Sequence, residues 1–254
     1  MAYRLIFYMV FMETINKDFT LDLSAGFPLS TDSMVLADFV KLPKNAAVLD
    51  LGSGCGTLGL LLCARDVSCT VTGIELDAQA HAAAMENIER NHLGERLHSI
   101  CADLRTMPIA PGGYRACVSN PPYFSGGERH SRTPGARSED TCHPADLFEA
   151  AAKALCFGGD FFLVHKPEKL AQLCFEASSH GLEPKRLRLV RHRPDSPVSL
   201  ILLSCRKGGK PGLLLEELTL FHSDETPTED YTRKASIATD TSSPDRSYLT
   251  TDSQ

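Results

Sequence analysis

The sequence predicts an α/β fold in which a mostly parallel sheet carries helices on both faces. Three observations lead there. Short strand-like apolar runs alternate with segments of helical spacing, and strands joined through helices pair in parallel. A glycine-rich turn, "LDLGSGCG" (49–56), stands between a strong strand and the helix after it. Acidic residues, Asp50, Glu75 and Asp103, fall where three successive strands end, the edge at which such sheets gather ligands. The composition agrees, because 43% hydrophobic and 23% charged residues over 254 positions suit a globular protein with a full-sized core.

The elements follow in order. "AAVLDL" (46–51) reads as a strand and "LGLLLCAR" (58–65) as a helix; "CTVTGIEL" (69–76) is a strand, and "AQAHAAAMENIERNH" (78–92) is an alanine-rich helix. "RLHSICAD" (96–103) and "YRACVSN" (114–120) are strands. "PADLFEAAAKALC" (144–156) is a helix opened by Pro144, and "GDFFLVHK" (159–166) is a strand leading to a helix at 167–180. "PKRLRLVRH" (184–192) and "SLILLSCR" (199–206) read as a terminal strand pair. No internal repeat is visible.

Residues 1–18 form an N-terminal extension whose apolar run, Leu5 to Met12, is short and lacks the cleavage site of a signal peptide. Met9 and Met12 stand as alternative starts. No run reaches the length of a membrane span. Residues 19–222 hold the folded domain. Residues 223–254, rich in Ser, Thr and Asp, show no apolar periodicity and read as a largely disordered tail. The nine cysteines have no paired spacing. They read as reduced, mostly buried thiols of a cytoplasmic protein rather than as a zinc site or a disulfide framework. A net charge of −6 excludes a general nucleic-acid coat protein, so any contact with RNA must come from a local basic patch.

Asp50, Gly52, Gly54 and Gly56 sit at alternate positions. The glycines let backbone approach a ligand and tolerate positive φ. Glu75 follows about twenty residues on, where a carboxylate reaches a ribose hydroxyl pair. Counted from Gly52, the third glycine comes one residue earlier than a dinucleotide fingerprint requires, so a pyrophosphate fits poorly. An acid before the first glycine suits a ligand with an ammonium or sulfonium charge. Asp103 could reach the amino group of an adenine. Each acid taken singly also reads as an ordinary strand-end or cap residue.

In "CVSNPPYFSGGERHS" (117–131) a strand leaves through Asn120, Pro121, Pro122 and Tyr123. Two prolines remove two donors and fix φ twice, and Pro121 pushes Asn120 toward an extended backbone. The product is a stiff corner bearing one amide and one ring. On these four residues alone, a plain strand-ending turn is the better reading.

Taken together, "LDLGSGCG", "GIELD", "ADL" and "NPPYF", in this order, resemble the S-adenosylmethionine-dependent methyltransferases of the N6-adenine type. "GFPLSTDSMVLADF" (26–39), the arginine-rich loop, "HPADLFEAAAKAL", "GGDFFLVHKPEKL" and "LEPKRLRLV" narrow the resemblance to the bacterial tRNA adenine-N6 methyltransferases, which modify adenine 37 of a valine tRNA. The likeness covers roughly residues 19 to 235 and departs at the C-terminal extension. It implies a Rossmann-like class I methyltransferase fold with a seven-stranded sheet and an antiparallel C-terminal strand. It also implies S-adenosyl-L-methionine as cofactor, held by Thr31, Asp50, Gly52, Gly54, Gly56, Glu75, Leu76, Asp103, Leu104 and Asn120. Thr31 and Asp32 fit a helix cap equally well.

By the same resemblance, the Asn120 side-chain carbonyl and the Pro121 backbone carbonyl accept hydrogen bonds from the two N–H groups of an adenine amine. Pro121 and Pro122 hold those acceptors rigid, and Tyr123 stacks on the base, which is turned out of its helix. Phe124 fits a second stacking face or the core. Arg129, Arg132 and Arg137, in the loop after the corner, are the expected RNA contacts. Lys185, Arg186, Arg188, Arg191 and Arg193 fit either phosphate contacts or a charged edge strand. The expected enzyme acts as a monomer on tRNA, without a metal or a membrane partner. The competing reading is a glutamine N5-methyltransferase acting on a release factor or similar protein, since a glutamine amide presents the same NH2 group. The short segment before Asp50 speaks against it, because the resembling glutamine enzymes carry a larger helical domain there. A domain that binds nucleoside or RNA without turnover is the third reading.

Overall fold

The computed structural model describes residues 12–14, 19–22, 29–107, 110–121 and 142–232. In chain order the elements are β1 (Met12–Thr14), β2 (Thr20–Asp22), α1 (Thr31–Phe39), β3 (Ala47–Leu51), α2 (Thr57–Arg65), β4 (Thr70–Glu75), α3 (Ala78–Arg90), β5 (Leu97–Cys101), β6 (Tyr114–Ser119), α4 (Pro144–Ala154) and β7 (Leu155–His165). A short 3₁₀ turn (Pro167–Lys169) then leads into α5 (Leu170–Ser179), β8 (Leu182–Arg191), β9 (Val198–Lys207) and β10 (Leu214–Thr219). β1 and β2 pair as a separate antiparallel ribbon. The other strands form one sheet in the order β10-β8-β9-β7-β6-β3-β4-β5.

In that sheet β9 runs against its neighbours β7 and β8, and the remaining pairs are parallel. Helices α1 and α2, with Ile88 of α3, pack on one face, against Val48, Val71, Val118, Phe162 and Leu202. Helices α4 and α5 cover the other face, against Leu49, Ile74, Cys117, Phe161 and Leu203. Neighbours such as Val48 and Leu49, or Phe161 and Phe162, point to opposite faces, and both are buried. A strand buried on both sides must be apolar throughout, and β7 and β9 have that character. The rings of Phe148 and Phe161 meet edge to face at 5.2 Å on one side. Phe39 and Phe162 do so at 6.1 Å on the other.

The sheet has eight strands, not the expected seven. β10 was not legible because its run, "LLLEELTLF" (213–221), mixes an apolar and an acidic half. What fixes it is charge pairing across the sheet. Glu216 accepts from Arg186 at 2.9 Å and from Arg188 at 2.9 Å, and Arg188 also reaches Asp38 of α1 at 2.7 Å. The pair β8–β9 is therefore not terminal: β8 lies between β9 and β10. Folded chain also continues past residue 222. Thr228 donates to the Thr219 carbonyl at 2.7 Å, and the Tyr231 ring packs 5.6 Å from Phe221. Residues 223–232 are thus described chain beyond the expected boundary at 222/223, and residues 233–254 lie outside the described residues.

All nine cysteines are free thiols, and Cys55, Cys63, Cys69, Cys117 and Cys205 are buried. Among the described residues no helix is long and apolar enough to cross a membrane, and no group of His, Cys, Asp and Glu could hold a metal ion.

Candidate active site

The chain runs outward from β3 to β4 to β5, then returns to place β6 on the other side of β3. Between β3 and β6 the strand order reverses, and in open sheets of this kind the carboxyl ends of the strands at such a reversal form the ligand crevice. Asp50 stands opposite Val118 of β6 and Gly73 of β4 in the ladders. Asn120 lies two residues beyond Val118 and Glu75 two beyond Gly73. Adjacent strands are about 4.8 Å apart, so the glycine turn, Glu75 and Asn120 share one rim. Ser119 donates to the Leu51 carbonyl at 2.7 Å, which ties the ends of β6 and β3 together.

The glycine turn is folded onto β4. Gly52 and Ser53 both donate to the Ile74 carbonyl at 3.0 Å. Gly52, Gly54 and Gly56 all have positive φ, at 74°, 55° and 83°. A methyl group added at Gly52 or Gly54 would meet nothing within 4 Å, so the turn is bare toward the crevice. One Glu75 oxygen accepts from the Gly54 amide and the other from the Asp77 amide, each at 2.8 Å. Asp77 in turn caps α3 through the amides of Gln79 and Ala80.

Asp50 is buried, and its Oδ2 has no hydrogen-bond partner. Burial, with Glu75 beside it, pushes its carboxyl up to about 8. A buried carboxylate oxygen without a donor is costly unless a cation arrives. The orphaned oxygen and the bare turn therefore fit a ligand with a positive group, as the residue pattern anticipates. Asp32, half-buried on α1, is also raised by burial, against the opposing pull of Lys166.

Asn120 donates from Nδ2 to the Ser33 hydroxyl at 2.9 Å. Ser33 is 6% exposed, and its hydroxyl lies 3.1 Å from that of Ser30, the residue that caps α1. Pro121 follows and is buried. Pro122, Tyr123, Phe124, Arg129, Arg132 and Arg137 lie outside the described residues.

Other expected residues fall differently from their reading. Thr31 is the first residue of α1 and does not cap it; the cap is Ser30, whose hydroxyl accepts from the Ser33 amide at 3.2 Å. Asp103 does not close a strand, because β5 ends at Cys101. The Arg105 guanidinium grips Asp103 through Nε at 2.9 Å and Nη2 at 2.6 Å, and holds its carboxyl below the usual range. Leu76 is exposed and Leu104 is packed against the second core cluster. The basic residues of β8 are engaged within the protein. Arg186 and Arg188 bracket the Phe39 ring at 4.2 and 5.0 Å, and Lys185 donates to the Lys210 carbonyl at 2.8 Å.

Sequence reasoning missed the residues that support the turn. A methyl group on Gly73 would sit 2.5 Å from the Ser53 hydroxyl, so only glycine there admits the turn onto β4. Asn87, wholly buried, donates to the Cys55 carbonyl at 3.1 Å. Asn91 clasps Thr20 in both directions, each at 2.8 Å, and so ties the β1–β2 ribbon to the end of α3. A polar residue on the buried stripe of an alanine-rich helix was the available signal for Asn87.

Known proteins resemble the chain in sequence and in fold. The chain resembles the tRNA1(Val) (adenine(37)-N6)-methyltransferase of Bacteroides fragilis, at 32% identity over 180 residues that cover 69% of this chain and 76% of the relative. It is also 32% identical over 190 residues to the enzyme of the same name from Photobacterium profundum, covering 72% and 78%. Among solved structures, a predicted O-methyltransferase from Agrobacterium tumefaciens superposes with a TM-score of 0.69 at 19% identity, over 82% of this chain and 97% of that one. A geranyl diphosphate C-methyltransferase from Streptomyces coelicolor, solved with S-adenosyl-L-homocysteine, gives 0.54 at 11% identity, over 77% and 91%. These two likenesses speak to the fold, the class I methyltransferase sheet. Residues 29–178 match the methyltransferase small domain, and the chain belongs to that family, in the branch of the bacterial tRNA1(Val) (adenine(37)-N6)-methyltransferases.

Proposed function

We propose that the chain moves a methyl group from S-adenosyl-L-methionine to the exocyclic N6 of an adenine in tRNA, namely adenine 37 of tRNA1(Val), the substrate in its relatives' names. One observation carries the reading. An acid-and-glycine cradle on β3 and β4 shares the crevice rim with an amide acceptor that leaves β6.

The cofactor supplies a methyl group on a positively charged sulfur, already electrophilic, so no strong base is required of the protein. Asp50 would hold the positive amino-acid end. Glu75 keeps lone pairs beyond the two amides it already accepts from, and these would take the ribose hydroxyls. Asp103 would meet the adenine amino group if Arg105 swings away from it. The target amine is a poor nucleophile because its lone pair is delocalised into the ring. Two acceptors, the Asn120 side-chain oxygen and the Pro121 carbonyl, would take its two N–H groups and turn the lone pair outward. Preorganised acceptors of this kind reduce the reorganisation needed at the moment of reaction. Tyr123 would stack on the turned-out base, at about 1–3 kcal/mol.

The test is where the label goes. The protein is incubated with labelled cofactor and total RNA lacking endogenous modification, alongside the protein fraction of the same cells, and the products are digested. Label in N6-methyladenosine supports the proposal; label in N5-methylglutamine of a protein overturns it in favour of the glutamine enzyme. Replacing Arg129, Arg132 and Arg137 together by Ala should weaken tRNA binding and flatten its salt dependence by about one log–log unit for each phosphate no longer neutralised.

A further inference from the structure

We infer that Ser33 is a positioning residue for the reaction: it selects the face of the Asn120 side chain that meets the target amine. The inference rests on the proposed role of Asn120 as an acceptor. A primary amide has an accepting edge and a donating edge. A half-turn of the side chain would exchange them with little change in shape. An adenine amine needs acceptors for its two N–H groups, so the flipped amide would set N–H against N–H. Nothing in Asn120 or its prolines forbids the flip.

The constraint comes from α1. The Ser33 hydroxyl receives Nδ2 at 2.9 Å; with its own proton given to the Ser30 oxygen 3.1 Å away, it can only accept from Asn120, which leaves Oδ1 as the edge turned away from the helix. Ser33 is itself held. Its backbone amide donates to the Ser30 hydroxyl at 3.2 Å, its own hydroxyl lies 3.1 Å from the same oxygen, and the side chain is 6% exposed. The Ser30 oxygen that caps the helix therefore also holds the hydroxyl that receives the amide. Ser33 stands before β3 and Asn120 after β6, and the two meet across 87 residues of chain. A residue that touches neither cofactor nor base thus sets the polarity of the catalytic corner, and the start of α1 acts in catalysis as well as in packing.

The experiment is a double-mutant cycle with three readouts: turnover at saturating tRNA, cofactor affinity by calorimetry, and melting temperature. Ser33→Ala should lower kcat by about five- to tenfold, the effect of one missing hydrogen bond, with cofactor affinity and melting temperature close to wild type. Ser33→Thr, which keeps the hydroxyl, should restore kcat. Asn120→Ala should lower kcat by about 100-fold or more, and adding Ser33→Ala to it should cost nothing further. The inference is overturned if Ser33→Ala leaves kcat unchanged while Asn120→Ala abolishes it. It is equally overturned if Ser33→Ala costs the same factor in both backgrounds, since Ser33 would then act only through packing. If Asn120→Ala keeps full turnover, the underlying reading of Asn120 fails and takes the inference with it. A measurement that leaves Ser33 intact covers the case in which Ser33→Ala does not fold. The side-chain amide protons of Asn120, assigned by their absence in Asn120→Ala, should exchange slowly with water, and exchange as fast as that of a surface asparagine would overturn the lock.

Discussion

Asp50 and Asn120 use their hydrogen-bonding capacity in opposite ways. Asn120 has its donor edge engaged and its acceptor edge turned away from the helix. Asp50 has an oxygen left without a donor, and its carboxyl is pushed up to about 8. At pH 7 it therefore carries a proton in the free protein. A cationic ligand favours the carboxylate, so binding should expel that proton. Calorimetry of cofactor binding at pH 7 in two buffers of different ionisation enthalpy should report close to one proton released, and Asp50→Asn should report none. Affinity in the wild type should rise with pH up to about 8, because deprotonation then costs less. Gly54 supports a second expectation. At φ 55° a β-branched residue is strained, and its side chain would project into the bare side of the turn. A free turn that relaxes out of this geometry must recover about 1–3 kcal/mol of strain on binding, an affinity about fivefold to over a hundredfold weaker. Unchanged affinity in Gly54→Val would remove the turn from the cofactor site. At this scale the sequence places the acids and glycines of β3 and β4 near the ends of their strands, but not Asp103, which lies beyond the end of β5. It does not single out Ser33, because its partner is remote in sequence and a serine in a helix's first turn is unremarkable.

At the scale of elements, charge decides what apolar patterning leaves open. Arg188 is 6% exposed and serves Asp38 and Glu216 at once, so it joins α1, β8 and β10. Removing one partner from a buried cluster strands the others. Arg188→Ala should destabilise the protein by about 3 kcal/mol, read as a lower denaturant midpoint at unchanged slope, with the cofactor site intact. A shift within a few tenths of a kcal/mol would show that β10 is held by its backbone ladder alone. Helices α2 to α5 and strands β3 to β9 were legible, most of them because burial forces apolar runs and helical spacing onto the sequence; α1 was not among them. β10 was not, since an edge strand needs fewer apolar positions, and its arginine partners read equally well as a solvated edge or an RNA contact. Gly73 illustrates the same gap. A glycine inside a strand pattern announces a close approach, yet only the fold shows that Ser53 is what approaches.

For the whole molecule, the ligand site works against the stability of the free protein. Asp50 titrates near its ordinary 3.8 when unfolded and near 8 when folded. Between those values the folded state binds more protons, so stability must fall as pH rises. The melting temperature of the ligand-free protein should therefore decline between about pH 5 and 8. The part due to Asp50 should vanish in Asp50→Asn and shrink when cofactor is saturating. A slope identical in wild type and variant would mean that the buried carboxyl is not the group responsible.

The return of the chain to β3 also has a consequence during synthesis. Residues through Cys101 emerge from the ribosome before Tyr114–Ser119, so β3 is made well before the strand that pairs with its second side. Until then β3 is an edge with an open ladder and an apolar row, the kind of surface that recruits stray strands. A product cut short before Asn120 holds the acids and glycines of the cradle but lacks the amide that leaves β6, and its β3 keeps the open edge.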